Sequence, residues 1–334
     1  MKTHLCLVGA MFITLCLNAQ EYKLVWEDDF NANKIDSTYW NFEDNARGGG
    51  NGEMQYYAPK NASIETHPSG VSCLVLNAQK EDYKNRPATS ARLNTQDKLS
   101  FCYGKVEIRV CLPKTANGLW PAFWMLGDNL VKDMGNDDSV DKRLKQIKKE
   151  GRVVWPRCGE IDILEMGHAD GIKNGTQDRL FNGACHWGEN FNNGKYPNIG
   201  MTKTTDESIQ GDFHTFTLIW DADSIRMYLD KDQNPECKPY FALGIKGKGK
   251  KNHPSRYFNK PFYLVLNLAV GGYFTGLPAP EKYAAVITDD WKNFVEITNT
   301  ALPKDGTPVK MYVDYIKIYQ KGDKGESLNI SGRK

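Results

Sequence analysis

The 334-residue chain has room for one large domain or two ordinary ones, and its 40% hydrophobic and 25% charged residues are those of a soluble globular protein. Lys plus Arg number 43 and Asp plus Glu 41, a formal charge of +2, so no strong field draws nucleic acid or an anionic membrane. The 16 Tyr and 8 Trp favour a neutral partner, because flat apolar faces with polar edges suit sugar rings as well as cores.

Residues 1–19 read as an export signal. Lys2 precedes an apolar run from Leu5 to Leu17, and Asn18-Ala19-Gln20 offers a cut after Ala19. The run is short for a bilayer span, and no later stretch reaches that length, so a periplasmic, cell-surface or secreted location is expected. Cys16 offers a lipid anchor as the alternative, although Leu15 stands where bacterial lipoprotein signals place a small residue. Past the signal come Cys73, Cys102, Cys111, Cys158, Cys185 and Cys237. Export permits disulfides, but a chain of this size does not need them. None of the six has Cys-x-x-Cys zinc spacing, and most lie in apolar runs, which predicts buried thiols.

Strand-like segments follow in order: Tyr22–Trp26, Cys73–Ala78, Tyr103–Leu112, Leu119–Leu126, Ile161–Met166, Phe213–Asp221, Ser224–Leu229, Phe262–Leu268 and Val309–Tyr319. Gly, Asn, Asp and Pro punctuate them at Asn31–Asn33, Asn45–Gly52, Asp230–Pro235 and Gly244–Pro254. Many short strands with few helical periods predict an all-β sandwich or barrel, one domain over residues 20–320. Val106, Ile108 and Val110 alternate with Lys105, Glu107 and Arg109, which predicts a strand with one wet face. The helix candidate is Ser139–Glu150, where Val140, Leu144 and Ile147 recur at helical spacing. It lies in an insertion, Asp128 to Trp155, that either borders a site or is a solvated excursion. Lys321–Lys334 is polar and Gly-rich, and a frayed tail is expected there.

The chemically informative segment is Gly159-Glu160-Ile161-Asp162-Ile163-Leu164-Glu165-Met166. Acids alternating with β-branched residues predict a strand with Glu160 and Asp162 on one face. Glu165, five residues past Glu160, faces the other way in a regular strand. One extra residue taken up as a bulge at Ile163-Leu164 returns it, so a bulge is predicted. Three acids on one face fit either a plain wet face or glycoside cleavage. Cleavage with retention needs an ionised nucleophile and a protonated acid about 5–5.5 Å apart.

Glu160-Ile161-Asp162-Ile163-Leu164-Glu165 resembles the signature of glycoside hydrolase family 16, in the bulged form of its laminarinase-like members. Trp26–Phe30, Gly50–Tyr56, Gly118–Leu126, Cys185-His186-Trp187, Asn267–Gly272 and Val313–Ile316 also resemble family elements, in the family's order, from about residue 22 to 320. The resemblance implies a concanavalin A-like β-jelly roll, two curved antiparallel sheets with a concave cleft for a polysaccharide. It implies Glu160 as nucleophile, Glu165 as acid/base, and Asp162 as the carboxylate that tunes Glu160. It further implies substrate contacts from Trp120, Trp124, His186, Asn51, Glu53 and Trp187. His186 is expected to bond Glu165 or substrate, unless it is a core histidine. Catalysis needs no cofactor. A structural calcium at Asp29, the Gly70 carbonyl and Asp314 is implied as an option, with Asp29 replacing the more usual Glu.

Expected activity is therefore retaining endo-hydrolysis of β-1,3- or mixed-linkage β-1,3-1,4-glucans by a monomer, without nucleic acid or a transmembrane segment. Hydrolysis of agarose, porphyran or carrageenan, transglycosylation, and a non-catalytic carbohydrate-binding jelly roll are the alternatives. The last has no need of paired acids.

Overall fold

A computed structural model describes residues 21–114, 118–132, 140–191, 194–277 and 291–332. The export signal and Cys16 lie outside the described residues.

The chain opens with β1 (Lys23–Asp28), β2 (Asn41–Phe42), β3 (Tyr56–Tyr57), β4 (Ala62–Thr66), β5 (Ser72–Tyr83), β6 (Arg86–Ser90) and β7 (Arg92–Asn94). Then follow β8 (Leu99–Cys102), β9 (Gly104–Cys111), β10 (Leu119–Gly127), helix α1 (Val140–Lys149), β11 (Glu160–Met166), α2 (Ala169–Asn174) and β12 (Leu180–His186). The remainder is β13 (Asn198–Thr204), β14 (Phe213–Trp220), β15 (Ser224–Leu229), β16 (Phe241–Gly244), β17 (Phe262–Val270), α3 (Trp291–Ala301), β18 (Val309–Gln320) and β19 (Ser327–Ile330). Two sheets form. One runs β16-β15-β14-β9-β18-β5-β6-β3 with β1 and β4 at its side; the other runs β13-β12-β11-β10-β17-β7-β2 with β8 and β19. All pairings are antiparallel except β3 with β6. This is the β-jelly-roll sandwich that the strand pattern and the resemblance predicted.

Period-2 alternation decides which side chains fill the space between the sheets. In β10, Leu119, Phe123 and Met125 are fully buried in the core, while Trp120, Ala122 and Trp124 point to the other face. Leu264, Leu266, Leu268 and Val270 of β17 do the same, as do Ile161, Ile163, Leu164 and Met166 of β11. From the opposite sheet, Val106, Ile108 and Val110 meet them. The outer face of β9 is polar, as expected, but it is paired rather than simply wet: Glu107 is buried beside Lys105, whose Nζ lies 2.8 Å away.

Glycine at both ends of β11 lets that strand fit. A Cβ at Gly159 (φ +79°) would stand 2.9 Å from the Phe262 ring, and one at Gly167 (φ +101°) only 2.0 Å from the Leu119 carbonyl oxygen. Both positions combine left-handed backbone with close approach, which only glycine tolerates.

The frayed-tail expectation changes, the helix forms with a different residue docked, and of the two readings of the insertion the one that borders the site holds. The tail is not frayed: Ser327–Ile330 adds to β8 as β19. Its turn is held by the Glu326 carboxylate, which accepts N–H bonds from Lys321, Gly322 and Asp323, while Gln320 Nε2 donates to the Cys102, Tyr103 and Ser327 carbonyls. The predicted helix forms, but Leu144 and Ile147 are exposed. It docks instead through buried Gln146, whose Oε1 accepts the Lys132 N–H at 2.6 Å. The insertion is no solvated excursion either: Leu130, Val153 and Trp155 pack on Leu126, Cys158, Tyr263 and Val265, covering one margin of the sheet face that carries the acids. Five of the six cysteines are buried and Cys237 is half-buried, all as free thiols.

Gly167→Ala should lower the melting temperature by about 5 °C or more. Positive φ and a backbone clash together cost on the order of 2 kcal/mol, at roughly 2–4 °C per kcal/mol for a domain of this class. A thermal melt of the purified variant checks this; an unchanged midpoint would mean that the β11–β10 contact is not tight.

Candidate active site

The predicted bulge is present. Asp162 and Glu165 of β11 oppose Ala184 and Asn182 of β12, so that Ile163 and Leu164 together face the single Gly183, and the same slip appears against Phe123 and Trp124 of β10. Glu160 faces Leu126 and His186, Asp162 faces Trp124 and Ala184, and Glu165 faces Ala122 and Asn182. The three acids thus form one row on the face turned away from the core. Asn51, Glu53, Arg92, Trp120, Ala122, Trp124 and Asn267 line the same groove.

Each acid has its own hydrogen-bond setting. Glu165 accepts from Trp120 Nε1 at 3.2 Å and from Asn182 Nδ2 at 2.8 Å. Glu160 accepts from Trp155 Nε1 at 2.6 Å. Asp162 Oδ2 lies 3.3 Å from His186 Nε2, and Tyr196 OH is 3.2 Å from His186 Nδ1. The donor atoms of Glu160, Asp162 and His186 all lie within 4.8 Å of one another. That spacing would also admit a cation; Glu160 is held by Trp155, while Asp162 Oδ2, close to His186, accepts no hydrogen bond among the described residues.

Burial dominates the electrostatics. It pushes Glu165 up to about 7, with the Glu160 charge adding to the rise and His186 opposing it. Burial and then the Asp162 charge push Glu160 up to about 8. Asp162 is driven up as well, by burial and then by Glu165. Asp162 is buried and Glu160 and Glu165 are half-buried, and three neighbouring carboxyls so shielded resist ionising together at neutral pH, so the row holds protons. An acid and a base can therefore coexist in it.

The structure brings most of the expected contacts together. Trp120 and Trp124 share the groove face, half-buried, with Ala122 between them. Trp120 stacks on Phe274, centroids 4.6 Å apart and planes 12° apart. Trp124 Nε1 donates to Asn267 Oδ1 at 2.7 Å. Asn51 is exposed at the groove, while Glu53 is buried and accepts from Gln55 Nε2 at 2.7 Å and Tyr57 OH at 2.8 Å. His186 meets Asp162 rather than Glu165, because it stands directly across from Glu160, four positions along β12 from Asn182, the residue across from Glu165.

Trp187 is a correction. One residue past His186, it points inward, packs on Phe258, and donates Nε1 to the Asn252 carbonyl at 2.9 Å, so it is core and not cleft.

Sequence reasoning missed Trp155, Arg92, Asn182 and Asn267. Arg92 lies over the Trp124 ring at 4.8 Å and pairs with Glu43 at 2.8 Å. Asn182 and Asn267 could have been found by parity, since each alternates with core residues in a strand beside the acids or beside β10. Trp155 had no such signal.

The positions considered for calcium belong to the other sheet's side of the molecule. Asp29 is exposed just past β1, Gly70 sits in the turn before β5, and Asp314 occupies a register slip in β18. Asp29 Oδ1 accepts the Asn31 N–H at 3.2 Å, and Asp314 Oδ2 is ion-paired with Arg109.

Comparison with known proteins supports a family assignment. A family model described as beta-glucan synthesis-associated protein SKN1/KRE6/Sbg1 matches residues 11–136, a span that ends before the acid strand. The glucan endo-1,3-beta-glucosidase A1 of Niallia circulans is 30% identical over 89% of this chain, which spans only 38% of that protein. The glucan endo-1,3-beta-glucosidase of Cryptopygus antarcticus is 32% identical over 82% of this chain and 89% of its own length. A Bacteroides ovatus mixed-linkage glucan GH16 protein, solved with a G4G4G3G product, superposes with a TM-score of 0.65 at 33% identity, over 88% of this chain and all of that one. Likeness at this level across nearly complete chains, with the bulged acid strand in place, means that the chain belongs to glycoside hydrolase family 16.

Proposed function

We propose that this protein is a retaining endo-β-glucanase acting on β-1,3- or mixed-linkage β-1,3-1,4-glucans, with Glu160 as nucleophile, Glu165 as acid/base and Asp162 as the group that tunes Glu160. The carrying observation is the bulge that sets the three carboxyls in one row on a groove lined by tryptophan. Glu165 protonates the glycosidic oxygen as Glu160 attacks the anomeric carbon. Water then attacks the anomeric carbon and displaces Glu160 as Glu165, now a base, takes a proton from that water. A value near 7 suits a group that must give and regain a proton near neutral pH.

Glu160 at about 8 is high for a nucleophile that has to ionise. Part of that rise comes from a negative Asp162. A proton on Asp162, itself favoured by burial, removes the repulsion and supplies a donor to Glu160. Trp155 N–H supports the same ionised form.

The relatives named for endo-1,3-β-glucan cleavage and the mixed-linkage structure support the substrate class. A binding-only jelly roll would not need the buried acid row. Among the described residues no helix is long and apolar enough to cross a membrane, and the reading includes export and action as a monomer. It also includes a structural calcium at Asp29, the Gly70 carbonyl and Asp314, an oxygen set that suits the ion in kind although Arg109 already holds one Asp314 oxygen. If calcium binds there, chelation lowers the melting temperature and calcium restores it; an unmoved midpoint removes the site.

Incubation with laminarin, barley β-glucan, agarose and carrageenan should give short oligosaccharides from one or both glucans only. Cleavage confined to the galactans would overturn the substrate reading. Glu160→Gln should cut kcat by ~3 orders of magnitude or more. The same variant should be more thermostable than wild type at pH 8 but not at pH 4. Between about 4 and 8 the folded state holds a proton at Glu160 that the unfolded chain releases, so this group's contribution makes stability fall as pH rises. A variant equally affected at both pH values would contradict that origin. Asp162→Ala should move the acid limb of the kcat/KM profile to higher pH, because loss of the hydrogen bond donated by a protonated Asp162 disfavours the ionised form of Glu160. A shift to lower pH would mean that Asp162 acts on Glu160 as a negative charge and would reverse the assigned role.

A further inference from the structure

The aromatic surface beside Glu160 does not stop at Trp155. Phe191, in the connection between β12 and β13, keeps 51% of its surface in solvent although it is large and apolar. An isolated exposed phenylalanine needs no explanation. This one is held by two other rings: its centroid lies 5.7 Å from Trp155 and 5.8 Å from Tyr196, with planes tilted by 45° and 31°. Tyr196 meets Trp155 edge-on at 4.8 Å, and its hydroxyl bonds His186. Trp155 is the ring that donates to Glu160. Segments remote in sequence thus fix an exposed aromatic face one ring away from the acid row.

The surroundings favour a neutral, hydroxylated ligand. Glu189, two residues before Phe191, is occupied by Tyr257 OH at 2.9 Å and by Arg157 at 3.6 Å, so its charge is met within the fold. Bare ring faces beside a tyrosine hydroxyl and an imidazole offer apolar contact to sugar C–H groups and hydrogen bonds to sugar hydroxyls together. On the far side of the acids, towards β7 and β17, Arg92, Trp124 and Asn267 already line the groove. Internal cleavage requires grip on both sides of the bond that breaks, and the β13 side has these rings to supply it.

We propose that Phe191 and Tyr196 form an additional glucosyl subsite on the β13 side of the acid row. It rests on the β-glucanase reading and adds where the chain is gripped. Phe191 makes no contact with the reacting atoms, so its effect falls on substrate affinity and not on chemistry.

The test uses the full chain carrying Glu160→Gln, titrated with laminarihexaose by calorimetry. Adding Phe191→Ala should weaken binding by about fivefold to tenfold, close to the tenfold that ~1.4 kcal/mol represents. Phe191→Trp should keep the affinity within about twofold of the parent. Leu24→Ala, an exposed apolar residue of β1 on the other sheet, should leave it unchanged. Unchanged melting temperatures would show the variants folded, as expected for exposed positions. Equal affinity with and without the Phe191 ring overturns the subsite while leaving the glucanase reading intact. Failure of the Glu160→Gln parent to bind both laminarihexaose and a mixed-linkage β-1,3-1,4-glucan oligosaccharide overturns the substrate reading, and the subsite with it.

Discussion

One extra residue in β11 is the constraint on which the rest depends. Side chains alternate along a strand, so without the slip at Ile163-Leu164 the Glu165 carboxyl would turn into the core and Met166 out of it. With it, Ile163 and Leu164 both stay buried and the third acid joins the other two. The flanking glycines fix the strand's ends against β10 and Phe262, so the slip has no slack into which to relax. Fold and chemistry meet in that single register shift.

The row is costly to the fold. Three carboxyls share a face with little access to water, and each binds its proton more tightly than a carboxyl in water does. Indole and amide N–H groups from three neighbouring segments, at Trp120 of β10, Trp155 of the insertion and Asn182 of β12, meet the row and limit that cost. Crowding that disfavours three charges also keeps acid and base together near neutral pH. Strain of this kind belongs at a site of chemistry and would be hard to explain in a passive surface strand.

Much of this was legible in the sequence, because strand alternation is local. The acids, the bulge, and Trp120 with Trp124 follow from counting by twos in β10 and β11. The same count assigns Trp187 inward, opposite to His186, so that miss came from giving a motif's members one role irrespective of parity. Trp155 and Arg92 were not legible for a different reason. Trp155 sits in an insertion without periodicity, and its reach to Glu160 depends on how Leu130 and Val153 dock on Tyr263 and Val265. Arg92 is placed by the pairing of β7 with β17, a contact between segments some 175 residues apart that no short window can show. The tail misled because its anchors, Gln320 and Glu326, are polar and act through backbone bonds instead of an apolar pattern.

The central claim is that Glu160 and Glu165 stand close enough for double displacement at one anomeric carbon. Proton NMR of laminarin during the first minutes of cleavage reads this directly, before the new reducing ends mutarotate. The account predicts that the β-anomer appears first and the α-anomer follows by equilibration. An α-anomer formed first would mean inversion through a water held between more distant carboxyls, and would contradict the arrangement described.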